Sequence, residues 1–119
     1  QMLRGAPMTI RGNGEQRRDF TYVGDVVDAN IKCATNLGVE FNGEVFNIGN
    51  GDNRSVNQIA TMMGGSRMHV EPVIEPKETL ADNTKAKKVL GWKTTMKIED
   101  WIETYKEKMG IWKIKKNLT

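Results

Sequence analysis

Short apolar runs separated by glycine-rich turns dominate the first third of the chain. Residues 7–11 read PMTIR and predict a short strand. Gly12 and Gly14 flank an asparagine directly after it and predict a turn, because glycine tolerates a positive φ. The aromatic and β-branched run 20–23 predicts a second short extended segment. The chain therefore opens with extended pieces rather than with a helix.

A helix is predicted next, from about Asp25 as its N-cap to Leu37, with Gly38 ending it. Four apolar residues at helical spacing predict its buried stripe: Val27, Ile31, Ala34 and Leu37. Cys33 lies beside this stripe, which favours a buried, inert thiol over a nucleophile.

The middle of the chain repeats the change from strand to helix. Residues 44–48 (EVFNI) predict a mostly buried strand, and the polar run 49–53 predicts a loop. Ser55 and Gln58 stand three positions apart before an apolar run, which is the pattern of a capping box at a helix start. Gly64 and its glycine neighbour end this helix.

The last half predicts one extended segment and two helices. Residues 68–74 are extended, and Pro72 restricts them to an edge strand or no strand. Helices are predicted over 84–90 and 98–109, the second with an apolar face of Ile98, Trp101, Ile102, Tyr105 and Met109. The fold class is therefore α/β: a small mixed domain of short strands and about four helices.

Composition limits the classes of protein. The 119 residues make one domain, and 38% hydrophobic with 28% charged residues fit a globular protein. The longest apolar runs are too short to span a membrane, so no membrane partner is expected. One cysteine permits no intrachain disulfide, which favours a cytoplasmic origin. The net charge of +3 favours anionic partners, but the scattered basic residues argue against nucleic acid.

Few residues offer catalytic chemistry. No G-x-G-x-x-G run opens a strand–helix unit, and no Tyr is followed four positions later by Lys. One His and one Cys cannot form a metal cluster, and His69 in an extended segment favours a surface role. Arg17 and Arg18 follow the glycine turn, and a guanidinium can hold a phosphate through two parallel hydrogen bonds. Residue chemistry alone favours a pair of surface arginines, and Asp19 follows them closely enough to hold one of them in a purely structural ion pair.

A longer pattern around these arginines resembles a known family. Residues 12–27, GNGEQRRDFTYVGDVV, are similar to the stretch G-(D/N)-G-x-Q-x-R-D-F-x-Y-V-x-D-V of the extended short-chain dehydrogenase/reductases, which include the NAD-dependent nucleotide-sugar epimerases and 4,6-dehydratases. Three more blocks follow in the family's order. They are VFNIG at 45–49, the S-V-x-x-I-A pattern at 55–60, and T-L-A-D with K-A and L-G-W between 79 and 92. The four blocks cover nearly the whole chain.

The resemblance implies a substrate site. It implies that Arg18 contacts the diphosphate of a nucleotide sugar, and that the strand residues Thr9, Ile10 and Arg11 lie along the base. Glu75 matches the acidic position that bonds a ribose hydroxyl in relatives. An arginine expected close to Glu75 is missing, and Lys77 is the candidate point charge in its place. The block T-L-A-D ends in Asp82, which is expected to brace the next helix rather than to meet substrate.

The resemblance also implies that something is missing. In the family a Rossmann amino-terminal domain binds NAD and carries the catalytic Tyr and Lys, and this chain resembles the carboxy-terminal lobe without it. We therefore expect no bound cofactor and no turnover by the chain alone, and a UDP- or dTDP-sugar as its ligand. Apolar faces that the absent sheet would cover predict a homo-oligomer. Two alternatives stay open: a non-catalytic binding or assembly module that retains the lobe fold, and a small nucleic-acid binder. Sequence alone does not decide between epimerase, dehydratase and decarboxylase chemistry. It also does not identify the sugar or the base.

Overall fold

The computed structural model of the chain describes residues 1–36 and 43–111. Within them, a short 3-10 helix at Met2–Arg4 precedes four strands and four α-helices. In chain order these are β1 (Met8–Arg11), β2 (Arg17–Arg18), α1 (Val23–Thr35), β3 (Arg54–Ser55), α2 (Val56–Met63), β4 (Arg67–Val70), α3 (Thr84–Leu90) and α4 (Ile98–Lys108). The predicted small mixed α/β fold with about four helices is confirmed.

The chain forms two compact units. The first comprises Gln1–Arg18, Arg54–Glu78 and the described part of Glu99–Thr119. The second comprises the described part of Asp19–Asn53 together with Thr79–Ile98. Each unit is therefore assembled from segments that are far apart in the sequence.

Two small sheets organise the first unit. β1 pairs with β4 in parallel, with Ile10 opposite His69, and β2 pairs with β3 in antiparallel. The predicted strand at 7–11 is confirmed. The predicted extended segment 68–74 is a strand only as far as Val70, two residues before Pro72. α2 contacts β1, and the buried apolar side chains of this unit are Ile10, Ala60, Ile102 and Ile111.

The capping box of α2 is present as predicted. The Ser55 hydroxyl accepts a hydrogen bond from the Gln58 backbone N–H at 3.1 Å, and the Gln58 side chain accepts one from the Ser55 N–H at 2.8 Å. Gly64 ends the helix in the left-handed conformation at φ 79°. These contacts satisfy backbone groups that the helix ends would otherwise leave without intrahelical partners.

A tryptophan lies at the centre of the second unit. Trp92 is 1% exposed and packs with Ala29 of α1 and Ala86 of α3, and three partly buried side chains surround this cluster: Phe46, Ile48 and Leu90. The Trp92 indole Nε1–H donates to the Asp25 carbonyl at 2.8 Å, so its one polar group is satisfied. The expectation that Trp92 packs on the core is confirmed.

Helix α1 differs from its prediction. It begins at Val23, and Tyr22 rather than Asp25 is the N-cap. Asp25 is 2% exposed, and its carboxylate accepts hydrogen bonds from the Thr95 N–H and hydroxyl at 3.0 and 2.6 Å. The buried face of the helix therefore passes through Asp25 and Ala29.

The predicted apolar stripe of α1 is correspondingly exposed. Val27 is 49% and Ile31 is 55% exposed, and Leu37 lies outside the described residues. Cys33 is exposed as well, so the expectation of a buried thiol is wrong. The Asp25–Thr95 bonds and the small side chain of Ala29 turn the other face of the helix towards the core.

One predicted strand and one predicted extended segment form no ladder in the described part of the chain. Residues 20–22 form no ladder, because β2 ends at Arg18 and α1 begins at Val23. Residues 44–48 likewise pair with no described strand, although Phe46 and Ile48 pack on the Trp92 cluster. A strand requires a hydrogen-bonding neighbour, which local sequence cannot supply.

The buried face of α4 is also different from the predicted one. Ile102 is buried, but Trp101 and Met109 are 38% and 39% exposed. Lys106 is 4% exposed instead, and its ammonium donates to the Met62 carbonyl in the last turn of α2 at 2.7 Å. A cation at a helix C-terminus is favoured by the helix dipole, which explains a lysine at a core position. None of the described helices has the length and apolar character needed to cross a bilayer.

Candidate functional site

The glycine turn after β1 is held in place by α2. Gly12 and Gly14 adopt φ of 65° and 78°, as the sequence predicted. A Cβ on Gly14 would lie 2.2 Å from the Asn57 Oδ1, so a side chain has no room there. The Asn57 amide donates to the Asn13 carbonyl at 2.9 Å and to a Glu15 carboxylate oxygen at 2.6 Å. The turn leads into β2 and not into a helix, so it lacks the helix N-terminus on which a dinucleotide pyrophosphate rests.

Strand β2 brings the arginine pair beside a segment 60 residues away in the sequence. The Arg17 N–H donates to the Lys77 carbonyl at 2.8 Å, and Arg17 forms a parallel bridge with Glu78. On its other edge β2 pairs with β3. The segment that contains Glu75 and Lys77 is thereby fixed alongside the arginines.

Arg18 forms an ion pair with Glu75. Its Nη2 donates to the Glu75 Oε2 at 2.5 Å, and its Nη1 donates to the Arg17 carbonyl at 2.8 Å. The two side chains of the pair are 24% and 32% exposed. The carboxylate partner of Arg18 is therefore Glu75, and not the neighbouring Asp19.

Asp19 binds backbone groups of the second unit instead. Its carboxylate accepts hydrogen bonds from the N–H groups of Asn50, Gly51 and Ala81 at 2.8, 2.9 and 3.1 Å. Gly49 is needed beside it, because a Cβ there would lie 2.3 Å from the Ala81 Cβ. Asp19 thus joins three chain segments.

A cleft of about 630 Å³ lies against the glycine turn in the first unit. Its lining combines charged, amide and apolar side chains with the turn backbone: Arg11, Gly12, Asn13, Glu15, Gln16, Pro72, Val73, Glu75, Pro76 and Lys77. Two cations and two carboxylates therefore face the same space, together with a partly apolar wall. Such a lining can accept a ligand that has anionic, hydroxyl and apolar parts.

The predicted site residues fall into two groups in the structure. Arg11, Glu75 and Lys77 line the cleft, whereas Arg18 lies outside the lining and is bonded to the lining residue Glu75. Thr9 lies outside the cleft lining, and its hydroxyl accepts a hydrogen bond from the Gln1 amide at 2.8 Å. Ile10 is 2% exposed, so its side chain belongs to the core of the first unit.

Gln16 is the residue that sequence reasoning missed. Its amide Nε2 donates to the Arg11 carbonyl and to the Glu75 Oε1, both at 3.0 Å. The one available signal was its place in the motif that carries Arg18, since nothing local shows that its side chain meets a residue 59 positions away.

The two remaining candidates have structural roles. His69 Nδ1 lies 2.8 Å from the Gly12 carbonyl, in keeping with a satisfied surface histidine, and the described residues contain no group of three metal-ligating side chains. The Asp82 Oδ1 accepts from the Thr84 N–H at 3.0 Å at the start of α3, so its predicted bracing role is confirmed. Hydrogen bonds from the Thr84 side chain and backbone hold the pKa of Asp82 below its ordinary value, so this carboxylate stays ionised at neutral pH.

Comparison with known proteins shows what this arrangement is similar to. The profile of the NAD dependent epimerase/dehydratase family matches residues 1–49. The chain is 30% identical over 108 residues to the UDP-glucose 4-epimerase of Mycolicibacterium smegmatis. The matched residues are 85% of this chain and 34% of that protein.

Solved structures give the same result. The chain matches the UDP-glucose 4-epimerase of Thermotoga maritima, solved with UDP-glucose, with a TM-score of 0.75 and 34% identity over 99% of this chain and 38% of that one. It matches the UDP-glucuronic acid 4-epimerase of Bacillus cereus, in complex with UDP-glucuronic acid and NAD, with a TM-score of 0.82 and 32% identity over 92% and 37%. The chain spans about a third of the length of these relatives. It belongs to the NAD-dependent epimerase/dehydratase family of extended short-chain dehydrogenase/reductases.

Proposed function

We propose that this chain, residues 1–119, is the nucleotide-sugar-binding lobe of an NAD-dependent NDP-sugar epimerase or dehydratase, similar to the UDP-glucose 4-epimerases. One observation carries the proposal: the Arg18 guanidinium is bonded to Glu75, and Glu75 lines a cleft together with Arg11 and Lys77. The two hydrogen bonds of Arg18 use two of its five N–H donors, which leaves three for a diphosphate.

The ligand of this cleft is a UDP- or dTDP-sugar. Arg18 holds the diphosphate, Lys77 adds a point charge, and Glu75 accepts from a ribose hydroxyl. Arg11 is the residue of β1 that borders the base. Thr9 can take part only if its bonds to Gln1 open, and Ile10 can contribute only main-chain atoms.

Catalysis requires groups that this lobe does not bring. NAD supplies hydride transfer in the whole enzyme, and the glycine turn of this chain does not fit its pyrophosphate because no helix follows the turn. The role of the lobe is to hold the nucleotide. The binding energy of the nucleotide then positions the sugar ring, which lies away from these contacts. The chain alone is therefore not catalytic.

Arg18→Ala should weaken the binding of UDP-glucose to the chain about tenfold or more, because a charge-assisted hydrogen-bonding partner of the diphosphate is lost. The affinity of Arg18→Lys should lie between those of the parent chain and Arg18→Ala, since a lysine keeps the charge without the planar fork. Ligand-observed NMR titration measures both, and suits the millimolar affinity expected of an incomplete site.

The matched control is Arg4→Ala, which removes the same charge from an exposed position in the 3-10 helix. Arg4→Ala should leave the affinity within about twofold of the parent chain. Equal losses for the two arginine variants would mean that only net charge attracts the nucleotide and would end the proposal.

The alternative is a non-catalytic binding or assembly module that keeps the shape of the lobe. The absence of the arginine that the resemblance implies close to Glu75 favours it, because the ammonium of Lys77 cannot hold a phosphate bidentately. A reading frame that continues upstream into a cofactor-binding domain excludes this alternative. If the frame is short and the Arg18 variants bind as the parent chain does, the module is the better description.

Helix α1 carries the evidence for a partner surface. Val23, Val27 and Ile31 follow one another at four-residue spacing and are 70%, 49% and 55% exposed. We infer that a second copy of the chain covers this stripe when the chain is isolated, and that a cofactor-binding domain covers it in a longer protein.

Size-exclusion chromatography with light scattering should therefore show a species larger than a monomer, and Val27→Asp should shift it towards the monomer. Asn30→Asp adds the same charge at an exposed, polar position of α1 and should leave the mass unchanged. A parent chain that is monomeric at every concentration would contradict this inference.

A further inference from the structure

Gln16 connects three parts of the candidate site, yet the proposed function gives it no role. Its side chain is half-buried between the end of β1 and the segment that carries Glu75. Its Nε2 donates to the Arg11 carbonyl and to the Glu75 Oε1 at 3.0 Å each. Its own carbonyl accepts from the Val56 N–H at the start of α2 at 3.1 Å, which fixes the backbone from which the side chain extends.

The direction of the Gln16 amide is determined by its partners. Both atoms that face Nε2 are acceptors, one a carbonyl and the other a carboxylate oxygen. The reversed amide would set its oxygen against both of them, so only this orientation forms hydrogen bonds. The two N–H groups of Gln16 are thereby fully used.

The Glu75 carboxylate is held at both oxygens as a result. Gln16 donates to Oε1 and Arg18 donates to Oε2, so the plane of the carboxylate is defined from two sides. Arg18 in turn has one nitrogen on Glu75 and the other on the Arg17 carbonyl. A chain of hydrogen bonds therefore runs from the end of β1 through Gln16 and Glu75 to the guanidinium.

We propose that Gln16 is a positioning residue for phosphate binding, which acts through Glu75 to fix the direction in which Arg18 presents its remaining N–H donors. This inference rests on the proposed function, because it assumes that Arg18 binds the diphosphate. Without Gln16, Glu75 is free at one oxygen and can turn, and the guanidinium turns with it. The ligand must then order both side chains when it binds.

Gln16→Ala should weaken UDP-glucose binding about three- to tenfold, which is the effect of having to order one or two long side chains on binding. In a Glu75→Ala background the same change should have an effect within about twofold, because the link to Arg18 is already broken. Gln58→Ala controls for general destabilisation, since it removes the side-chain half of the capping box of α2 and leaves the Glu75 bonds in place.

The reversed pair provides a second test that is independent of truncation. Gln16→Glu alone sets a carboxylate against Glu75 and should weaken binding more than Gln16→Ala does. Adding Glu75→Gln restores a hydrogen bond of the opposite direction, with an amide oxygen still available to Arg18. The double variant should regain a measurable part of the lost affinity, and circular dichroism should confirm that every variant is folded.

Failure of this inference differs from failure of the proposed function. If Arg18→Ala weakens UDP-glucose binding but Gln16→Ala does not, or if Gln16→Ala has the same effect with and without Glu75, then Gln16 has no positioning role and the proposed function stands. If Arg18→Ala has no effect, both ideas fail together. A reversed pair that binds no better than Gln16→Glu alone also overturns the positioning role.

Discussion

Trp92→Ala should lower the free energy of unfolding of the second unit by about 3–5 kcal/mol, which is the usual cost of removing a large aromatic side chain from a core. Trp92 is 1% exposed and packs against Ala29 of α1 and Ala86 of α3, both too small to fill the space that the indole leaves. The Asp25 carbonyl also loses its indole donor. Because domains are typically stable by only about 5–15 kcal/mol, this variant should be largely unfolded in moderate denaturant.

Urea titration followed by far-ultraviolet circular dichroism measures this loss without relying on tryptophan fluorescence. Trp101→Ala is the matched control, because Trp101 is 38% exposed and stacks on Tyr105 with ring centroids 4.9 Å apart. We expect it to cost about 1 kcal/mol, mainly the aromatic contact. Comparable losses for the two tryptophans would show that Trp92 does not organise the core of the second unit.

Asp19→Ala should lower the free energy of unfolding by about 2–4 kcal/mol. The variant leaves the N–H groups of Asn50, Gly51 and Ala81 without the carboxylate that accepts from all three. Hydrogen bonds to a charged group contribute about 1.5–3 kcal/mol each when measured singly, and bonds to a shared acceptor are not additive. Thermal and urea unfolding should both show the loss.

Asp19→Asn should lower the free energy of unfolding by less than Asp19→Ala does, because an amide retains one acceptor oxygen but sets an N–H₂ against a backbone donor. Asp28 offers the control: it forms an exposed ion pair with Lys32 at 3.2 Å one helical turn away, and Asp28→Ala should cost at most about 0.5 kcal/mol. If Asp19→Ala were as mild as Asp28→Ala, the three backbone contacts would contribute little to the second unit.

The candidate site could be predicted in part. The glycine turn was recognised from local chemistry, and the resemblance singled out Arg18 and Glu75. That these two side chains bond to each other was not predictable, because 57 residues separate them and the contact depends on β2 lying beside the segment 75–78. Gln16 was overlooked for the same reason, since a glutamine amide has no distinctive pattern in a sequence.

Local structure followed from local chemistry where the determinants lie within a few residues. The capping box at Ser55 and the glycine Gly64 that ends α2 were both evident in the sequence, because each depends on the backbone preferences of neighbouring residues. The existence and order of the four helices were therefore determined before any tertiary contact was known.

Burial was decided by the assembled chain. Val27 and Ile31 lie on an apolar stripe yet are exposed, whereas Asp25 and Lys106 are buried because Thr95 and the Met62 carbonyl satisfy their charged groups. Helical periodicity identifies an apolar face, but only the surrounding segments determine what covers it. Long-range partners, which residue spacing does not encode, also decide whether 44–48 becomes a strand and which carboxylate holds Arg18.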